Sequence, residues 1–413
     1  MDSAIYGPCH DRKQRHVFCQ TTRIPCLCKS ILIFMLFILK HFDTPLIRFS
    51  AESGAELSII IQWTNKRDKT LLPFDLQQEV TAEKLESWLR HRTIPKNRAY
   101  VDSLLSAMGL SSNRPMDVIR LSKGLSLNDC YWVTEESFDG SFEQCNLFDN
   151  RFSRILGQIA FTGHGSAHRP GGISSSPEFT TNGMLPKCWR REKGVIRLYK
   201  GGTEGASNTG FEPFSEFYAS QIAQILNINA IPYLLSKWKG RLCSTCELFT
   251  SKDLSYMPIG RIVTKGGMKA VRQFYETLGP EFVKALDDMI VFDALIYNVD
   301  RHFGNFGLLI DSKTNRIVSP APLFDHGNSL FNFVALDIID NPTAMRKYAK
   351  TLLPCVYDDF VAEAKACLSH EHRNSLRKLL DFSFKRHPMY NLENKRLSML
   401  EKMVSRRAKE ILS

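Results

Sequence analysis

The sequence predicts an α+β chain, strand-bearing in its amino portion and mostly helical in its carboxyl portion. Three observations carry this reading. Aromatic and apolar segments broken by turn formers, such as "SKGLSLNDCYWV" and "KGVIRLYK", fall before residue 250. A run rich in Gly, Ser, Thr and Pro, residues 163–183, is the clearest loop. Beyond Asp253 apolar residues recur at helical spacing, as in "EFVKALDDMIVFDALIYNV".

The 413 residues, 43% hydrophobic and 23% charged, suffice for one large core or several smaller ones and exclude wholesale disorder. An excess of 54 Lys and Arg over 43 Asp and Glu gives a net charge of +11, which favours anionic partners without choosing among them. The 11 cysteines follow no framework spacing, so free thiols in a reducing cytoplasm are expected. Cys243 and Cys246 form a C-x-x-C with no second pair or His couple behind it. A strand-borne buried pair is expected there rather than a zinc or redox site.

In chain order, residues 1–34 are expected to be a non-native or disordered extension, with Met35 the natural start. Their apolar run "ILIFMLFIL" is about half the length a membrane-spanning helix needs, and no small-residue cleavage site follows it. "MLFILKHFDTPLIRFS" is expected to form a first strand. Two helices follow, "TAEKLESWLRHR" with Leu85, Trp88 and Leu89 on one face, and "RAYVDSLLSAMGL" with Gly109 at its end. They make residues 35–120 a small amino-terminal cap region. Short strands and loops are expected over Ser122–Asn150. After the loop, "PKCWRREKGVIRLYKGG" predicts a hairpin ending near Lys200. "EPFSEFYASQIAQILN" predicts an amphipathic helix with Pro213 early and Phe214, Phe217, Tyr218, Ile222 and Ile225 inward. The carboxyl-terminal "NLENKRLSMLEKMVSRRAKEIL" is a basic amphipathic helix.

The chemistry concentrates after residue 294. A long apolar helix delivers Asp300 onto a polar loop, "FGLLID" resumes as a strand, and the chain returns through "LFDHG" carrying Asp325. A hairpin therefore brings Asp300, Asn305 and Asp325 to one end of the same strands. Two carboxylates about 4 Å apart repel by about 4 kcal/mol at an effective dielectric near 20, so they call for a cation or a shared proton. Magnesium suits hard oxygen ligands and completes its shell with water and phosphates. Phosphoryl transfer requires a carboxylate at the accepting hydroxyl, a carboxamide and a second carboxylate on the metal, and a lysine at the phosphates. Asp300, Asn305, Asp325 and Lys200 meet that requirement. An Asp followed five positions later by Asn occurs about once by chance in such a length, and the specificity lies in its setting between helix and hairpin.

The motifs "NVDRHFGNFGLL", "LFDHGNSL", "GMLPKCW" before "VIRLYK", and "CELFTS" resemble those of the HipA-like bacterial Ser/Thr kinases over roughly residues 160–335. The resemblance implies a two-lobed protein kinase-like fold, with a mixed strand N-lobe over residues 121–250 and a helical C-lobe over 251–413. It implies Asp300 as catalytic base, Asn305 and Asp325 as magnesium ligands, and His302 as a brace of the catalytic loop. Lys200 would meet the ATP phosphates, with Glu216 as its ion-pair partner. Cys246–Phe249 would be the interlobe hinge that meets adenine, with Glu247 nearest the ring and Phe249 beside it. The loop carrying Thr181 and Gly183 would fold over the phosphates with Lys187. Ser174, Ser175, Ser176, Thr180 and Thr181 would be candidates for self-phosphorylation.

The implied cofactors are ATP and Mg2+, and the implied partners are a protein with a Ser or Thr hydroxyl and a DNA-binding antitoxin. Nucleic acid would be met only indirectly, and no membrane is implied. The loop lacks G-x-G-x-x-G and the catalytic stretch lacks H-R-D, which sets the chain apart from eukaryotic-type kinases. Two other readings share the residues: a small-molecule phosphotransferase, and a nucleotide-binding pseudokinase that acts as an interaction module.

Overall fold

The computed structural model describes residues 34–52, 57–165, 176–206 and 208–413. The extension expected before Met35 lies outside them apart from Phe34, as do Ser174 and Ser175. The segment expected as one strand is a hairpin of β1 (Phe34–His41) and β2 (Thr44–Glu52). Its turn uses Phe42 at a φ of 47°, and Asp43 accepts the Phe142 N–H (2.7 Å). A two-residue turn, Phe42 and Asp43, is enough to reverse the chain between two apolar runs.

β3 (Ile59–Thr64) and β4 (Tyr131–Glu135) complete a four-stranded antiparallel sheet in the order β3-β2-β1-β4. β4 comes from beyond residue 120 and closes the sheet that the cap region begins. Phe37 and Leu39 of β1 alternate onto a core shared with Leu85, Trp88 and Leu89 of the helix Ala82–Arg90. Thr81 starts that helix by accepting the Lys84 N–H. Each such fully buried side chain stabilises the fold by about 1.5–3 kcal/mol before entropy is counted.

A second antiparallel sheet, in the order β5-β6-β8-β7, holds β5 (Lys187–Glu192), β6 (Val195–Gly201), β7 (Leu234–Trp238) and β8 (Arg241–Glu247). The helix Glu212–Leu226 packs on it, opened by Pro213 and ended by Asn227 at a φ of 57°. This helix buries more than the expected stripe, since Ser215, Glu216, Ala219 and Ala223 are inside and Phe214, Phe217 and Ile225 only half-buried. A further helix, Arg154–Thr162, packs on β5. Its turns are too few for the apolar face to stand out in the sequence.

The helical lobe begins with a small sheet, β11-β10-β9, formed by β9 (Leu254–Pro258), β10 (Gly307–Asp311) and β11 (Ile317–Pro320). Around one continuous core lie the helices Gly267–Leu278, Pro280–Ile296, Pro342–Ala349, Phe360–Ala366, His370–Arg377 and Asn394–Leu412. The final helix is basic in sequence, yet it buries Leu397, Leu400, Val404 and Ala408 together with Arg396 and Arg407. Among the described residues no helix is long and apolar enough to cross a membrane. The architecture is the expected α+β, two-lobed, kinase-like one.

Candidate active site

The helix Pro280–Ile296 ends at Tyr297, whose φ of 54° turns the chain out of the helix. Asn298 then donates Nδ2 to Asp293 Oδ1 (2.9 Å) and accepts the Asp300 N–H at its own Oδ1 (3.1 Å). A side-chain amide bonded in this way competes with helix continuation, so Asp300 emerges on a loop.

Arg301, 1% exposed, holds the loop from beneath. It donates Nε and Nη2 to the two oxygens of Asp293 (2.9 and 3.0 Å), a bidentate pair. Its Nη1 donates to the carbonyls of Asn305 (3.0 Å) and Phe324 (2.6 Å), and Nη2 donates to His326 Nδ1 (3.0 Å). Burial and then the Arg301 charge keep His326 well below its ordinary pKa, so a neutral ring accepts here. One guanidinium therefore ties Asn305 to the residue before Asp325. Asn305 donates Nδ2 to the Asp300 carbonyl (3.1 Å), and Asn328 donates Nδ2 to Asp300 Oδ2 (2.8 Å). His302 is exposed and accepts the Gly304 N–H at Nδ1 (3.0 Å), which braces the tip of the loop alone. Past Asn305, a Cβ on Gly307 would lie 2.1 Å from the Met257 carbonyl oxygen, so only glycine lets β10 reach β9.

Lys200 reaches over from β6. It donates to Glu216 Oε1 (2.7 Å) and to Asp325 Oδ1. Glu216 Oε2 accepts the His326 N–H (2.8 Å), which anchors the N-lobe helix to the Asp325 turn. Burial works against the Lys200 ammonium, but Asp325 and Glu216 outweigh it and hold its pKa above the ordinary lysine value. Burial likewise works against an ionised Asp325, but Lys200 and then Lys187 hold its carboxyl well below the ordinary range. Asp325 adopts a φ of 58°, and its N–H donates to the Tyr233 hydroxyl (3.1 Å).

Lys187 opens β5 directly opposite Lys200 in the ladder. Its Nζ donates to the Asn182 carbonyl (2.8 Å). Burial, then the neighbouring Lys200 charge, push its pKa down to about 7. The intervening Gly183 has a φ of 91°, and a Cβ there would lie 2.3 Å from Lys187 Nζ. Arg98, from the cap region, fastens this loop: it donates to the Glu178 carbonyl (2.6 Å), Glu178 Oε2 (2.9 Å) and the Lys187 carbonyl (2.8 Å). Thr181 Oγ1 donates to the Pro177 carbonyl (2.7 Å) and accepts Trp189 Nε1–H (3.0 Å). Thr180 and Ser176 are buried, with the Thr180 hydroxyl donating to the Leu125 carbonyl (2.7 Å).

At the segment expected as the hinge, Glu247 points outward and pairs with Arg197 (2.5 Å). Phe249 packs on Tyr256 and Phe324, ring centroids 5.5 and 5.6 Å away, which links this segment to the Asp325 turn. Cys243 and Cys246 lie three apart on β8 and so face opposite sides of the sheet. Both are free thiols that burial pushes up to about 12.

Four residues that position this site have no role assigned from sequence: Arg98 and Tyr233 lie outside the quoted motifs, and Arg301 and Asn328 lie within them. Arg301 had a signal, since Asp293 is a lone carboxylate inside the apolar run "MIVFDALI" and needs a buried cation. Arg98 has none, because its partners stand far away in the chain.

No family model and no curated protein matches the chain. Among solved structures, it is similar to HipA of the toxin–antitoxin system of Shewanella oneidensis MR-1, determined with HipB and operator DNA. That similarity covers 91% of this chain and 97% of that one, at 12% identity and a TM-score of 0.52. The proinflammatory kinase CtkA of Helicobacter pylori matches over 56% of this chain and 90% of its own, at 18% identity and a TM-score of 0.46. With its two lobes and its sheets in place, the chain has the HipA-like kinase fold.

Proposed function

We propose that this chain is an ATP- and magnesium-dependent protein kinase that transfers the γ-phosphoryl group to Ser or Thr hydroxyls. The observation that carries the reading is the bridge from Lys200 to Glu216 and Asp325, set against a loop in which Arg301 joins Asn305 to that same turn.

Asp300 Oδ2 is held by Asn328, and Oδ1 has no protein hydrogen bond among the described residues. Oδ1 is thus the atom that orients the accepting hydroxyl and takes its proton. Lys200, kept cationic by two carboxylates, supplies charge to the phosphates, joined by Lys187 when protonated. The donor set fits magnesium: Asn305 uses its nitrogen on the Asp300 carbonyl, which leaves Oδ1, and the Asp325 side chain is 33% exposed. Among the described residues no group of three or more His, Cys, Asp or Glu could hold a metal alone. Asn305 and Asp325 would hold the cation, which would complete its shell from phosphate and water, the usual habit of magnesium. When bound, magnesium neutralises the phosphate charge.

The structural likeness to a chain crystallised with HipB and operator DNA extends the proposal to a protein partner of the antitoxin type, through which nucleic acid would be met. Free described thiols accord with a cytoplasmic location. Mass spectrometry of the purified chain after ATP and magnesium, with a parallel incubation of lysate and labelled ATP, tests the activity. Label in protein bands is expected. Label confined to small molecules, or none at all, overturns the reading.

A further inference from the structure

A basic cavity of about 430 Å³ lies in the helical lobe between the helices Pro342–Ala349, Phe360–Ala366 and Asn394–Leu412. Arg346, Lys350, Lys365, Arg406 and Arg407 line it, against the carboxylates of Asp359, Glu410 and the terminal residue Ser413. Asp359 is occupied as a helix cap, accepting the N–H groups of Val361 and Ala362. Glu410 pairs with Arg406 (2.8 Å). Lys350 and Lys365 are exposed and have no ion pair among the described residues. Arg407, 7% exposed, lays its guanidinium on the Tyr297 ring at 3.9 Å. Its buried Nε has no hydrogen-bond partner, and Glu410 Oε2 stands 3.4 Å away without the alignment a hydrogen bond needs. Arg407 is thus countered by Glu410, while the two unpaired lysines on the cavity wall suit an anion.

The cavity shares one wall residue with a groove that reaches the loop after Asp300. Leu353, 62% exposed, lines it and also a second groove of about 510 Å³, whose other walls include Phe303, Cys355 and Asp358. Phe303 belongs to the loop between Asp300 and Asn305. The groove carries Asp358 and meets the Asp300 loop at Phe303, whereas the cavity is basic.

We propose that an acidic segment of the phosphorylated polypeptide docks in the basic cavity, while its hydroxyl-bearing residue runs along the 353–358 groove to Asp300. The proposal rests on the protein kinase reading and names its substrate class, polypeptides with Asp or Glu near the accepting hydroxyl. The negative end of the substrate is repelled from Asp300 and drawn to the cations, so charge alone sets the direction of binding.

The test is fluorescence anisotropy of the full chain with a fluorescein-labelled peptide of one Ser flanked by Glu. Lys350→Ala/Lys365→Ala should weaken its binding about tenfold with the melting temperature unchanged. Added salt should weaken it as well, and a Lys-flanked peptide should not bind. No binding by the wild-type chain, equal affinity in the variant, or tighter binding of single-stranded DNA of the same length overturns the proposal. This readout needs no phosphoryl transfer. A wild-type chain that binds the peptide but labels no protein would sink the kinase reading while leaving the acidic docking site standing.

Discussion

Arg301 donates to the carbonyl of Asn305 at 3.0 Å and to that of Phe324 at 2.6 Å, with its other edge paired to Asp293. The two candidate metal ligands are thus positioned by backbone that one buried cation holds. Arg301→Ala would leave the buried Asp293 carboxylate without its cation, with Asn298 Nδ2 still donating to it, at a cost of about 3–5 kcal/mol. Denaturant unfolding checks this, and adding Asp293→Asn should recover part of the loss.

Asp300→Asn keeps the shape of the loop but removes the proton acceptor. Transfer should fall by at least about a hundredfold, with melting temperature and nucleotide affinity retained. Single-turnover assays with labelled ATP decide it, and near-normal transfer would remove Asp300 as the base.

Asp325→Ala should weaken nucleotide binding in magnesium and leave much less difference when EDTA is added. Wild-type chain should lose affinity on chelation, because Asn305 and Asp325 can hold a cation only together with phosphates. Calorimetric titration with and without the metal reads both. Lys200 keeps Glu216 in the variant, so the ladder at β6 should survive.

Lys187 carries a pH signature. Its pKa falls to about 7 in the folded chain from an ordinary value of 10.5. Between those values the unfolded chain binds a proton that the folded chain does not, so this group makes stability rise with pH above about 7. Lys187→Met should remove that rise. Denaturant midpoints of wild type and variant, compared from pH 6 to pH 9, should diverge in favour of wild type as pH increases, and parallel curves would contradict it.

Arg98→Lys keeps the charge but not the fork that serves Glu178 and the Lys187 carbonyl together. Nucleotide affinity should drop about tenfold along with the melting temperature, since the loop ending at Gly183 loses its anchor. An unchanged affinity would show that the cap region has no hold on the phosphate loop.

Much of the site was legible in sequence because its parts are local. Asp300 and Asn305 sit on one loop between an apolar helix and a strand, and Lys200 ends a hairpin whose register puts it opposite Lys187. The hairpin of β1 and β2 was less legible, because a turn that uses only Phe42 and Asp43 barely interrupts an apolar run. The helix Pro280–Ile296 shows one apolar stripe in sequence but is buried on all sides from Asp288 onward. Periodicity reports the strongest face and stays silent on the others.

By itself, the order of residues determined the local elements, the apolar faces and the identity of the oxygen and nitrogen donors, since these depend on neighbours within a few turns. Only the tertiary structure decided that β4 closes the cap sheet, that Arg98 and Arg301 clamp the loops, and that five cations gather around one cavity. Those facts depend on contacts between distant residues, whose energies exist only after the chain has closed the loops between them.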